Sequence, residues 1–161
     1  MKILVAVDES AHSERAVKYV GTLLKGAGDV RVMLFHVLKP MPRKFLEHGG
    51  SENPSVEGRL GDQLKKEQAD WSRKEREAES PILLKLREAL EQTGFPPGRV
   101  TLKFGHEDDV ARNILEEVRE GRYETLVLGR HGAAGQRRWF GGGVTEQILR
   151  DAAGLAVWII D

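Results

Sequence analysis

The chemistry of this chain is concentrated in residues 129–145. They hold six of its 18 glycines: Gly129, Gly132, Gly135 and the run Gly141, Gly142 and Gly143. An apolar run ends at Gly129 and a helical pattern begins at Val144. Glycine has no side chain, so its backbone N–H groups can approach an anion closely and its φ can turn positive. A helix N-terminus adds unpaired donors and the positive end of a dipole. Arg137 and Arg138 supply cations, and His131 lies inside the turn. Such a segment can cradle a phosphate or a nucleotide. Glycine content alone fits a surface loop that turns at its glycines equally well. The spacing is not a Walker A loop, because no Gly-Lys-Ser/Thr follows four variable residues. It is not Gly-x-Gly-x-x-Gly either, because Gly129 and Gly132 are separated by two residues.

Asp8 is the other polar candidate. It closes the apolar stretch 3–7, where a carboxylate can accept a ribose hydroxyl or cap a local turn. His36 follows an apolar run and reads as a packed histidine with one hydrogen bond. His106, Glu107, Asp108 and Asp109 suggest a metal cluster, but acidic residues at a helix start are better explained by the helix dipole. No metal site is therefore assigned.

Positioning these residues requires a particular order of elements. Ile3 to Val7 is apolar without alternation, the pattern of a strand buried on both faces. Ser10 can cap a helix start. Ala16, Val17, Val20, Leu23, Leu24 and Ala27 then recur at helical spacing, stopped by Gly26 and Gly28. A second strand is expected at 30–37. Residues 39–60 carry Pro40, Pro42, Pro54 and three glycines and read as a loop. Residues 63–79 read as a charged, solvated helix with Trp71 as its one large aromatic. Ser80-Pro81 marks a kink or a restart, before a stripe of Ile82, Leu83, Leu86, Ala89 and Leu90. Residues 100–104 alternate like an edge strand that Gly105 closes. A helix follows at 110–118, then a short strand at 126–128, a helix at 144–152 and a last strand at 155–160. Trp158 on that strand, and Trp139 with Phe140 near the glycines, are apolar anchors. This order predicts an α/β fold with a parallel sheet, helices on both faces and right-handed crossovers. Ligands of such sheets sit at the carboxyl ends of strands, where the strand order reverses.

Composition narrows the function classes. The chain of 161 residues carries 25 Lys+Arg and 25 Asp+Glu. A formal net charge of zero argues against a global basic field for nucleic acid or an anionic membrane. Cysteine is absent, which removes disulfides, thiolate zinc sites and thiol catalysis. No apolar run is long enough to span a bilayer. The stretch 3–7 has no small-residue cleavage site after it, so no signal peptide is expected. A single domain over 1–161 in the cytoplasm is the expectation.

With these residues in view, the chain resembles the universal stress protein family, in its ATP-binding branch. Gly129-x2-Gly132-x9-Gly142 is similar to that family's Gly-x2-Gly-x9-Gly-Ser/Thr signature. The opening residues 3–10, the Leu34-Phe35-His36-Val37 strand end and the closing 144–150 are similar too. The resemblance spans the chain outside the variable stretch 39–80. It implies a five-stranded parallel sheet of order 3-2-1-4-5, the adenine nucleotide alpha hydrolase-like arrangement, and a homodimer. It implies that Asp8 lies near the ribose and that Val37 and Leu128 line the adenine site. Gly129, Gly132, Gly142 and the residues after it (Gly143, Val144 and Thr145) would meet the ribose and phosphates. The chain departs from the signature at Gly143, where a Ser/Thr hydroxyl is missing. One lost charge-assisted hydrogen bond is worth ~1.5–3 kcal/mol, or roughly 10- to 100-fold in affinity. Glu9 replaces a commoner glycine, and His106-Glu107 departs from the family pattern after Gly105.

The expected function is binding of ATP, ADP or AMP, with any Mg²⁺ arriving on the nucleotide. No catalytic residues are expected, and at most slow ATP hydrolysis. Dimerisation is expected through the C-terminal strand 155–160, because an apolar edge strand needs cover. The alternative expectation is a nucleotide-free interaction dimer of the same fold, favoured by Gly143.

Overall fold

Lys2–Ala6 forms β1, whose three central residues Ile3, Leu4 and Val5 are fully buried. The computed structural model describes residues 1–46, 53–106, 109–130 and 143–161. The remaining elements are α1 (Ala11–Leu24), β2 (Arg31–Leu38), a short 3-10 turn (Arg43–Phe45) and α2 (Pro54–Glu91). After them come a second 3-10 turn (Pro97–Arg99), β3 (Val100–His106), α3 (Val110–Gly121), β4 (Thr125–Gly129), α4 (Val144–Asp151) and β5 (Ala156–Ile160). All five strands run parallel in the order β3-β2-β1-β4-β5. The expected sheet order is therefore the observed one.

Period-two burial splits the core into two layers. Ile3, Val5, Val32, Leu34 and Val127 face α1 and α2, where Val17, Val20, Leu83, Leu86 and Leu90 meet them. Leu4, Phe35, Leu126 and Leu128 face the other way, against Ala111, Ile114, Leu115 and Val118 of α3 and Ile148 of α4. Each such side chain contributes about 1.5–3 kcal/mol on burial. Among the described residues no helix is long and apolar enough to cross a membrane.

Helix α2 corrects the sequence reading. It starts at Pro54, inside the expected loop, and passes through Ser80 and Pro81 without restarting. An internal proline costs about 3 kcal/mol in helix propensity, because it lacks an N–H and crowds the preceding carbonyl. The Ser80 hydroxyl donates to the Arg76 carbonyl at 2.6 Å in that turn. The helix is also pinned on both sides of the proline. Downstream, Leu83, Leu86 and Leu90 are buried. Upstream, Phe45 and Trp71 lie with ring centroids 6.4 Å apart, and Gln68 donates to the Phe45 carbonyl at 2.6 Å. Residues 47–52 of the expected loop lie outside the described residues.

Strand β3 also runs past Gly105 to His106, because Val37 and Leu38 of β2 pair with those two residues. It is an edge strand, as its alternation predicts.

Helices α1 and α2 are joined by charge and by close approach. Glu14 meets Lys18 at 2.7 Å and Lys85 of α2 at 3.0 Å. Hydrogen bonds from those two ammonium groups, Lys18 foremost, hold the Glu14 carboxyl down to about 2. Gly21 gives the close approach: a Cβ there would stand 2.2 Å from Thr93 Oγ1 and 2.8 Å from Leu90 Cδ1. Thr93 is held by its own bond to the Leu90 carbonyl, at 2.6 Å. Gly21→Val is expected to lower unfolding stability by about 1–3 kcal/mol through overpacking. Urea denaturation followed by circular dichroism checks this; an unchanged midpoint would show that α1 and α2 can part freely.

Candidate functional site

The carboxyl end of β1 is where the strand order reverses, with β2 on one side and β4 on the other. Ala6 pairs with both Phe35 and Leu128. Asp8 lies two residues beyond Ala6, Val37 lies two residues beyond Phe35 on β2, and Gly129 ends β4. The residues that the sequence singles out at 8, 37, 128 and 129 therefore share one edge of the sheet. Gly132 and Gly142, along with His131, Arg137, Arg138, Trp139 and Phe140, lie outside the described residues, as do Glu107 and Asp108.

Asp8 is built into the start of α1. Its Oδ1 accepts from the Ser10 N–H at 3.0 Å and from the Ser13 hydroxyl at 2.7 Å. Ser13 Oγ in turn accepts the Asp8 N–H at 2.9 Å. Ser10 is the N-cap, as expected, and accepts from the Ser13 N–H at 3.2 Å. The turn role of Asp8, read beside the ligand role in the sequence, is thus fulfilled by one carboxylate oxygen. Ser13, only 3% exposed, was missed in the sequence. Its signal is the second serine three residues after the cap.

Val37 and Leu128 are apolar residues on β2 and β4 whose side chains pack with the α3 and α4 layer. Leu128 is 4% exposed, so its side chain belongs to the core and only its backbone borders the crevice. At Gly129 the start of α1 comes very close. A Cβ there would lie 2.8 Å from His12 Cβ and 3.1 Å from the His12 carbonyl carbon. Glycine lets α1 seat directly on the end of β4.

The far side of the glycine segment returns to the same place. Gly143 is the N-cap of α4, with φ −74° and ψ 155°, and it makes no side-chain cap. Thr145 Oγ1 donates to the Gly129 carbonyl at 3.4 Å, so the excursion begins and ends within one hydrogen bond. That bond is the observed role of Thr145. Val144 is exposed at the start of α4. Gln147 ties this helix to α3 by donating to Asp109 Oδ2 at 3.1 Å. Asp109 is the N-cap of α3, and the Arg112 N–H followed by Gln147 holds its carboxyl below the usual carboxylate range.

Charged groups rim the edge. Arg130 Nη1 meets Asp161 Oδ2 at 3.1 Å, His12 Nδ1 lies 3.9 Å from Asp161 Oδ1, and Arg15 Nη2 donates to His12 Nδ1 at 2.8 Å. His106 sits farther along, where its Nε2 accepts from Arg76 Nη2 of α2 at 2.8 Å. Burial first, and the Arg76 charge second, push the His106 imidazole down from its ordinary value. His106 thus links β3 to α2. His36 is buried, as expected, and bonds the Val7 carbonyl.

The strand order 3-2-1-4-5 reverses at the carboxyl end of β1, where Asp8 follows β1 and Gly129 ends β4. The family model for the universal stress protein family matches residues 1–154, and the chain belongs to that family. No curated protein matches it. Among solved structures it is similar to a universal stress protein family member from Burkholderia pseudomallei (22% identity, TM-score 0.61, covering 99% of this chain and 94% of that one). It is similar to a universal stress protein from Archaeoglobus fulgidus in complex with dAMP (17%, TM-score 0.61, 100% and 98%). A universal stress protein family protein from Arabidopsis thaliana with AMP bound is also similar (18%, TM-score 0.57, 99% and 90%).

Removing the Ser13 hydroxyl strips two bonds from Asp8 at once. Ser13→Ala is expected to cost about 1–3 kcal/mol, since a partly buried N–H loses its acceptor. Chemical denaturation measures it; a loss under 0.5 kcal/mol, roughly the scatter of a surface change, would mean that the turn is held elsewhere.

Proposed function

We propose that this protein binds an adenine nucleotide, ATP or its shorter relatives ADP and AMP, at the carboxyl edge of the sheet. The observation that supports the reading is that Asp8 follows the end of β1, Val37 lies near the end of β2 and Gly129 ends β4, at the same edge of three adjacent strands, with Thr145 of α4 bonded to Gly129. Asp8 takes the ribose, Val37 and the Leu128 backbone flank the base, and the turn from Gly129 through Gly132 and Gly142 to Gly143 takes the phosphates. The open space at Gly143, where a Cβ would meet nothing within 4 Å, fits a bare amide facing an anion. Two similar proteins hold dAMP and AMP, which supports the ligand class. Any Mg²⁺ arrives on the phosphates, and the role is recognition rather than turnover.

The proposal extends to a cytoplasmic homodimer that responds to nucleotide. β5 is the outer strand of the sheet. Ile159 is 39% exposed on it, and Leu149 of α4 is 52% exposed. A partner's β5 would cover that apolar edge. Trp158 is the weaker probe of this interface, because it packs against the α1–α2 layer of its own chain. A nucleotide-free interaction dimer is the second reading, and Gly143 favours it.

Calorimetric titration with ATP, ADP and AMP, with and without Mg²⁺, separates the readings; no heat and no thermal shift at millimolar ligand leaves only the dimer. Gly143→Ser restores the hydroxyl without a clash. It is expected to tighten ATP binding roughly 10- to 100-fold, and unchanged affinity would remove the α4 N-terminus from the phosphate site. Ile159→Lys is expected to give the monomer mass in sedimentation. A persistent dimer would move the interface away from β5.

A further inference from the structure

The β1–β2 ladder stops at Ala6 and Phe35, followed by one more backbone bond, Val7 N–H to the Phe35 carbonyl at 2.9 Å. In a regular parallel ladder the Val7 carbonyl would next accept the Val37 N–H. Here a side chain takes that carbonyl: His36 Nδ1 lies 2.8 Å from Val7 O. A carbonyl only accepts, so Nδ1 carries the hydrogen. The His36 side chain is 9% exposed and is clamped from outside. Its Nε2 stands 3.4 Å from Glu79 Oε2 of α2, and Glu79 Oε1 is 3.5 Å from Lys39 Nζ. The Phe104 ring meets it edge-on, with centroids 6.1 Å apart.

We propose that His36 is a positioning residue for the crevice: a wedge that ends the β1–β2 ladder one rung early and keeps the Val37 N–H out of it. Glu79 holds the wedge in place, so the seating of α2 sets the width of the gap between Asp8 and Val37. This rests on the nucleotide reading above only for its consequence, ligand affinity. The wedge itself is a property of the free protein. It acts through backbone, on the two residues that border the proposed ribose and base positions, Asp8 directly after Val7 and Val37 directly after His36.

Side-chain geometry supplies the test. An asparagine amide nitrogen occupies the place of Nδ1, and a glutamine amide nitrogen occupies the place of Nε2. His36→Asn therefore keeps the bond to Val7 O, whereas His36→Gln and His36→Ala lose it. Hydrogen exchange of the Val37 amide in the free protein is the first readout. It should slow at least tenfold in His36→Ala and His36→Gln, as the rung closes, and stay near the wild-type rate in His36→Asn. Calorimetric affinity for AMP and ATP is the second. It should fall about tenfold in the Ala and Gln variants, the worth of one hydrogen bond, and return in His36→Asn; Glu79→Ala should give an intermediate loss. If the Val37 amide exchanges alike in all variants, the wedge is wrong, whatever the ligand. If exchange changes as expected but wild-type protein binds neither nucleotide, the wedge stands and the nucleotide reading falls. Affinity unchanged in His36→Gln, with exchange slowed, would show that the closed rung does not reach the ligand and would overturn the positioning role.

Discussion

The double pairing of β1 governs what this molecule can do. A strand hydrogen-bonded on both edges and buried on both faces has no surface except its two ends. Its neighbours β2 and β4 lead away to opposite faces, toward α2 and toward α4. At the carboxyl end the chains must therefore diverge, and divergence between paired backbones makes a gap lined by polar main-chain groups. Those groups cannot be left bare in a protein interior. They must be met by side chains, by water or by a ligand, and the local sequence decides which.

On the β1 side the answer is side chains. Asp8, Ser10 and Ser13 close a small ring of bonds that starts α1 without help from any ligand. On the β4 side, Thr145 fastens α4 to Gly129, and Asp109 joins α3 to α4. The walls of the crevice are thus set by caps that belong to the fold. Gly143 has no side chain to offer at its helix start.

Helix α2 is the element least like an average connection. It is 38 residues long, roughly 57 Å at 1.5 Å per residue. Its C-terminal third is core, fixed by Leu83, Leu86 and Leu90. Before Pro81 it touches the sheet through polar groups instead, Arg76 with His106 and Glu79 with His36. The first is a neutral acceptor facing a guanidinium, and the second a buried ring facing a carboxylate. Such contacts are directional and weaker than apolar burial.

Much of this was legible along the chain. The unalternating apolar run 3–7, the alternation at 100–104 and the helical stripes at 16–27 and 110–118 report burial directly, because side-chain direction is fixed by local backbone period. They determined the element types, the parallel sheet and the edge position of β3. The sequence reading left a kink or a restart open at Pro81 and began α2 too late, because propensity is local while the anchors at Phe45, His36 and the core are distant in sequence. Leu128 and Trp158 pack with the core layers on opposite faces of the sheet, contacts that their strand positions alone do not specify. Most of all, the sequence reading left His36 as a packed residue with one bond. Which carbonyl that ring takes, and which rung it thereby removes, depends on bringing residues 7, 36 and 79 within a few ångströms, a relation that periodicity along the chain does not encode.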